Sequence, residues 1–237
     1  MLPPEPGRVP RTEEELLTRV RMLAGYTIGQ LAERLGRKVP EETRRAKGFF
    51  GQLLEPVLGA TASSRSTPDF ERLGVEMKTV PMSKVGVPLE STYVCTVGGA
   101  GLETRGDLDW GTSRVRHKLC RVLWVPIQGD PTIPLADRRI GAAVLWTPDE
   151  NEEQLLRRDF DELMEYVRLG RWQELTGHLG AVLQVRPKGD SGGAQAWGVD
   201  DEGRRAKIPA RGFYLRPAFT GGAIRNALNR SRQTPSA

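Results

Sequence analysis

Asp69-Phe70-Glu71-Arg72-Leu73-Gly74-Val75-Glu76-Met77-Lys78-Thr79 places an acidic residue seven positions ahead of a Glu-x-Lys. Read as a strand over residues 73–80, the stretch alternates, with Val75, Met77 and Thr79 on one face and Glu76 and Lys78 on the other. Thr67-Pro68-Asp69 reads as a bend that brings a second carboxylate beside Glu76. Two converging carboxylates make a hard-oxygen pocket suited to Mg²⁺, which is usually held by one or two protein carboxylates together with a substrate phosphate. An ammonium on the same face can orient an attacking water and offset charge building on a phosphate. The same residues also fit a solvated strand face with a neighbouring ion pair, so the rest of the chain has to decide between the two.

Upstream, residues 41–58 read as a helix with Phe50, Leu53, Leu54, Val57 and Leu58 on one stripe and Glu55 at its edge. Pro56 predicts a kink or break there, because an interior proline loses a hydrogen bond and crowds the preceding turn. Thr12 and Glu15 form a capping box for a first helix, and Thr27 with Gln30 caps a second that Gly36 closes. Residues 25–36 also fit the first half of a helix-turn-helix. Four prolines in residues 1–11 predict a mobile tail.

Downstream, Pro81 should end the central strand, and residues 91–97 should be its antiparallel partner. Residues 98–109 read as a flexible excursion, and Thr112 or Ser113 starts a basic helical segment through Leu119. Strands are predicted over 121–127, 139–146, 181–187 and 212–216, the last two flanking a Gly-rich span, 189–203. Helices are predicted over 149–170, 172–179 and 217–229. The sum is an α/β chain with a mixed central sheet flanked by helices.

The 237 residues carry 27% charged and 38% hydrophobic side chains, as a soluble globular protein does, and no apolar run reaches the roughly 18 residues of a membrane helix. No apolar signal core follows Met1, so a cytoplasmic location is expected. Two cysteines and two histidines exclude a disulfide framework and a histidine-rich metal site, leaving oxygen ligands for any metal. The formal net charge is +5, unevenly spread. After Glu202 there is no acidic residue, yet Arg204, Arg205, Lys207, Arg211, Arg216, Arg225, Arg230 and Arg232 follow. Arg114, Arg116, His117, Lys118 and Arg121 form a second basic cluster, against a strongly acidic stretch over 149–165. This asymmetry favours a nucleic-acid face with an acidic helix turned away from it; a merely solvated charged surface is the alternative.

Several stretches, in order, together resemble the MutH family of DNA mismatch-repair endonucleases. They are Lys47 to Gly51 with Glu55, Asp69 with Gly74 to Pro81, Pro88 to Cys95, Ser113 to Leu119 with Arg121 to Trp124, Val185 to Lys188, and Arg211 to Leu215. The resemblance runs from about residue 12 to 220 and is far more specific than the acid and Glu-x-Lys pattern, which many restriction endonucleases share. It implies a restriction-endonuclease-like α/β fold with two arms around a DNA cleft: a catalytic arm over about 12–110 and a DNA-reading arm over about 111–229 of a single domain, 12–229, with tails 1–11 and 230–237. Glu55, Asp69 and Glu76 match the family's metal-binding carboxylates, Lys78 its catalytic lysine and Lys118 a further lysine needed for activity. Arg186, Lys188 and Tyr214 match residues that read bases and sense methylation, and Lys47 and Glu90 match cleft residues near the DNA. The family nicks DNA 5′ of an unmethylated GATC using Mg²⁺ and is activated by MutL, with MutS acting indirectly; a free monomer is expected.

Arg and Lys can read guanine in the major groove, where adenine presents the amino group that methylation alters. Taken singly, Arg186 and Lys188 also fit a solvated strand end, and Tyr214 a core aromatic with a wet hydroxyl. Two rival functions remain: a GATC restriction endonuclease, which would cut both strands and ignore MutL, and a DNA-binding regulator using the helix that follows Thr27, which would need no Mg²⁺.

Overall fold

The computed structural model describes residues 7–41, 48–61, 67–97, 108–188, 195–202 and 204–233. Its helices are α1 (Glu13–Met22), α2 (Ile28–Arg34), α3 (Phe49–Leu58), α4 (Arg114–Leu119), α5 (Glu150–Arg168) and α6 (Pro217–Gln233). Its strands are β1 (Glu76–Met82), β2 (Thr92–Val97), β3 (Val122–Gln128), β4 (Val144–Trp146) and β5 (Leu183–Pro187), followed by β6 (Gln195–Val199), β7 (Arg205–Pro209) and β8 (Arg211–Leu215). The mixed α/β architecture is that of a restriction-endonuclease-like fold. Two compact units divide the chain: one takes the chain up to Glu90, Arg121–Thr147 and everything from Gly221, and the other takes Ser91–Cys120 and Pro148–Thr220. The expected arms, 12–110 and 111–229, thus differ from the observed units, which interleave along the sequence.

In the first unit the sheet order is β1-β3-β4, with β1 parallel to β3 and β3 antiparallel to β4. Val122, Leu123, Trp124 and Val125 are fully buried, as a central strand covered on both faces requires. β2, expected beside β1, pairs instead with β8 in the second unit. A parallel neighbour needs a crossover, and the chain makes this one by leaving the first unit at Glu90 and returning at Arg121. Pro81 lies inside β1 instead of ending it, because β1 is an edge strand, where a missing donor is tolerated.

Three amphipathic helices cover this sheet. Leu16 and Val20 of α1, Leu31 of α2, and Leu53, Leu54 and Leu58 of α3 join Val75, Leu123, Val125 and Ile127 in one core. Thr12 caps α1 by accepting from Glu15 N at 3.1 Å, and Glu13, Glu14 and Glu15 place negative charge at its positive end. α3 begins at Phe49 and so is shorter than expected; residues 42–47, including Lys47, lie outside the described residues. Pro56 does not break it: the helix runs on to Leu58. Residues 7–11, expected in a mobile tail, pack against these helices, with Gly7 N–H donating to Pro56 O at 3.0 Å and Arg19 to Arg8 O.

In the second unit β8 is central between β2 and β5, all antiparallel, and β6, inside the span read as Gly-rich, 189–203, forms a separate hairpin with β7 just beyond it. Glycines at 198 and 203 dilute the alternation that would have marked it. Leu156, Phe160, Leu163, Met164 and Val167 bury one stripe of α5. Much of this helix's acidity is structural. Asp149 and Glu152 form its capping box, Glu153 accepts from Trp110 Nε1 at 2.9 Å and Arg116 Nε at 2.8 Å, and buried Asp159 accepts from Val182 N and Leu183 N.

The helix predicted over 172–179 is absent. Arg216 donates to the carbonyls of Gly177, Leu179 and Gly180 at 2.9, 3.1 and 3.0 Å, which favours a string of turns there. α6 continues to Gln233, into the segment expected to be a C-terminal tail. No described helix is long and apolar enough to cross a membrane.

Candidate active site

In the first unit, a sharp local reversal explains the seven-residue spacing of the opening motif. Phe70 and Val75, both buried, exchange backbone bonds at 2.9 and 3.3 Å, and Glu71–Leu73 form one turn of 3-10 helix closed by Gly74 at φ 65°. The left-handed conformation favours glycine at that point. The chain therefore doubles back, and Asp69 arrives beside β1, where its Oδ2 accepts from Met77 N at 2.8 Å. The predicted strand loses its first residues to this turn and begins at Glu76.

Glu76 is 3% exposed, and its Oε1 accepts from Lys78 Nζ at 2.7 Å. The two side chains share a face, as alternation predicts. With 4% of the Glu76 side chain and 12% of the Lys78 side chain exposed, this pair is largely withdrawn from water, where charges act on one another more strongly. Glu55 reaches the same place from α3. Burial raises its carboxyl above the usual range, and the charges of Asp69 and then Glu76 raise it further, while Arg37 opposes them. The three carboxylates thus sense one another electrostatically, although among the described residues no three acidic, histidine or cysteine groups are gathered into a preformed metal cage.

Arg37 went unmarked in the sequence, and its role follows from Pro56. A helix would bond the N–H of residue 56 to the carbonyl of Gln52, but proline has no N–H. Arg37 Nη1 donates to that carbonyl instead, at 3.1 Å. Glu90 is exposed at the end of the first unit's leading segment.

In the second unit, the strands bring Arg186, Lys188 and Tyr214 onto one face of the β2-β8-β5 sheet. Tyr214 lies opposite Gln184 on β5 and opposite Tyr93 on β2, and Arg186 lies opposite Gly212. Arg186 stands over the Tyr214 ring at 5.9 Å, and Lys188 over the Tyr93 ring at 5.5 Å. The rings meet edge to face at 5.3 Å. Lys188 Nζ also donates to Thr96 Oγ1 at 3.0 Å. Gly212 makes room for the rings: a Cβ there would lie 2.9 Å from Tyr93 Cε2 and 3.1 Å from Tyr214 Cε2. Tyr93 is the member of this cluster that the sequence did not disclose, since an aromatic in a strand is ordinary until its register opposite Tyr214 is known. Lys118 lies half-buried on α4, in the same unit.

The family model described as DNA mismatch repair enzyme MutH matches residues 58–159, a span that contains Asp69, Glu76, Lys78, Glu90 and Lys118. Individual proteins are similar over nearly the whole chain. The DNA mismatch repair protein MutH of Haemophilus ducreyi is 45% identical over 94% of this chain and 97% of its own length. That of Yersinia enterocolitica is 46% identical over 93% of this chain and 94% of its own. That of Escherichia coli O127:H6 is 46% identical over 91% and 93%.

Proposed function

The chain belongs to the MutH family of DNA mismatch repair endonucleases, and on that premise we propose that it nicks the unmethylated strand of DNA 5′ of GATC in a Mg²⁺-dependent reaction. The observation that carries the reading is the buried Glu76–Lys78 pair on β1 with Asp69 held against the same strand. The donor set fits Mg²⁺. Glu55, Asp69 and Glu76 offer oxygens alone, and Glu55, raised by burial and then by the charges of Asp69 and Glu76, sits where a divalent cation would relieve the repulsion. Bound there, Mg²⁺ supplies charge neutralisation at the scissile phosphate and a more acidic water.

The chain's own groups do the positioning. Lys78, fixed by its bond to Glu76, presents an ammonium that orients the attacking water in line with the departing oxygen and offsets the charge developing on the phosphate. Glu55 reaches the same place from α3, where burial and the charges of Asp69 and Glu76 raise its carboxyl, and completes the set of oxygens. Arg186 and Lys188 supply donors for base edges, and their packing on Tyr214 and Tyr93 removes freedom that binding would otherwise have to remove. A methyl on adenine N6 adds bulk and removes a donor hydrogen at the position that Tyr214 monitors. Lys118 is assigned to the groups needed for cutting, and Lys47 and Glu90 to contacts near the bound DNA.

The reaction takes place in the cytoplasm, with the free protein a monomer, MutL as activator and MutS acting through it. We place the MutL contact on α5, whose Asp161, Glu162 and Glu165 are exposed, whereas Glu152 and Glu153 are bonded at the helix start. Incubation with unmethylated, hemimethylated and fully methylated GATC duplexes, with and without Mg²⁺ and MutL, and with each strand resolved, tests the proposal. Nicks should appear on unmethylated strands, only with Mg²⁺, and faster with MutL. Double-strand cuts indifferent to MutL would point to a restriction endonuclease, and binding without cutting to a regulator.

A further inference from the structure

The turn of α3 that carries Glu55 lacks one of its own hydrogen bonds. Pro56 cannot close the helix onto the carbonyl of Gln52, which is the acceptor four residues back. That carbonyl accepts from Arg37 Nη1, fifteen residues upstream. The backbone fixes Arg37 for this contact. Gly36 N–H donates to Glu33 O at 3.0 Å and Arg37 N–H to Ala32 O at 2.9 Å, the paired bonds of a Schellman ending to α2. The start of α2 is set equally firmly by the capping box of Thr27 and Gln30, and Leu31 of α2 and Leu54 of α3 share one core. On the far side of the proline, its carbonyl accepts from Gly7 N–H at 3.0 Å. External donors thus serve α3 on both sides of Glu55.

We propose that Arg37 is a positioning residue for Glu55: its guanidinium supplies the donor that Pro56 lacks and fixes the turn of α3 that holds this carboxylate beside Asp69 and Glu76. Arginine at 37 and proline at 56 form a functional pair, because the donor is needed only where the helix cannot provide its own. The inference rests on the reading of Glu55 as part of the metal site.

Two readouts test it: the Mg²⁺ concentration giving half-maximal nicking of a GATC duplex, and Mg²⁺ binding to the full chain without DNA, followed by calorimetry. Arg37→Ala should weaken both by about fivefold, the equilibrium effect of one ordinary hydrogen bond, while the rate at saturating Mg²⁺ changes by less than about twofold. Pro56→Ala restores a backbone donor; combined with Arg37→Ala it should return both readouts to within about twofold of the unaltered chain. Should Arg37→Ala melt below the assay temperature, Arg37→Met keeps the aliphatic stem without a donor and carries the same expectation. An unchanged Mg²⁺ requirement, or a loss that Pro56→Ala fails to reverse, overturns the pairing. Glu55→Gln separates this proposal from the reading beneath it. If Glu55→Gln weakens Mg²⁺ binding and Arg37→Ala does not, the positioning role alone fails; if Glu55→Gln changes nothing, the metal-site reading of Glu55 fails and takes the proposal with it.

Discussion

The acid pocket of the first unit and the tyrosine-lined face of the second both present charge, in opposite settings. Glu76 and Lys78 are withdrawn from water and bonded to each other at 2.7 Å, and Asp69 is tied to the backbone of the same strand. Arg186 and Lys188 are exposed, and rings hold them in place of counter-charges. Charges withdrawn from water act strongly on a reacting phosphate and on each other. Exposed ones are screened, so each contributes little, and their value lies in direction. On the proposed reading, the pocket does the chemistry and the sheet face discriminates.

Substitution should therefore have unequal effects in the two places. Lys78→Ala removes the ammonium from the pocket, and the nicking rate at saturating Mg²⁺ should fall on the order of a thousandfold, comparable to losing one transition-state donor. DNA affinity measured in a gel shift should stay nearly unchanged, since most of it comes from other phosphate contacts. Substantial nicking by this variant would remove Lys78 from the mechanism. Next in size, Arg186→Ala should lower nicking at GATC by roughly tenfold to a hundredfold, the worth of about 1 to 3 kcal/mol for a good base contact. A loss equal on GATC and on sequences one base removed would make Arg186 a backbone contact.

Asp69→Asn should raise the half-saturating Mg²⁺ concentration by about tenfold, because a neutral amide is a poorer ligand for a hard cation. The amide oxygen can still accept from Met77 N, so thermal stability should change little. An unaltered Mg²⁺ titration would take Asp69 out of the metal site. The smallest effect belongs to Lys188→Ala, where nicking at GATC should fall a few-fold relative to sequences one base removed, while the slope of log affinity against log salt stays nearly unchanged, as for a lost base contact. A slope that falls by about one with specificity unchanged would instead make Lys188 a phosphate contact.

How far the sequence disclosed these regions depended on how local each determinant is. Glu76 and Lys78 were legible because alternation along a strand is a local rule, but the turn over Glu71–Gly74 was not, and the strand read from residue 73 begins at Glu76. The partner of β1 was not legible: Val122 to Val125 is apolar throughout, and such a run states that a strand is buried without saying beside what. The helix expected over 172–179 had adequate periodicity, but its carbonyls accept from Arg216, a residue far along the chain. Pro56 was read correctly as a missing hydrogen bond, and of the kink or break expected there the break is absent, with the substitute donor coming from another helix's end. Tyr93 and Gly212 acquire meaning only from a register that brings two rings and a glycine together.

The central claim is that discrimination lies on the second unit's sheet face and cutting in the first unit's pocket, and Tyr214→Ser addresses it most directly. The measurement is the ratio of nicking rates on the unmethylated and methylated strands of a hemimethylated GATC duplex, compared between this variant and the unaltered chain at saturating Mg²⁺. The account predicts that the ratio falls by roughly tenfold or more while nicking of unmethylated DNA declines far less, since one base contact's worth of discrimination is lost and the Glu76–Lys78 pair is untouched. An unchanged ratio would contradict it and place methylation sensing elsewhere in the chain.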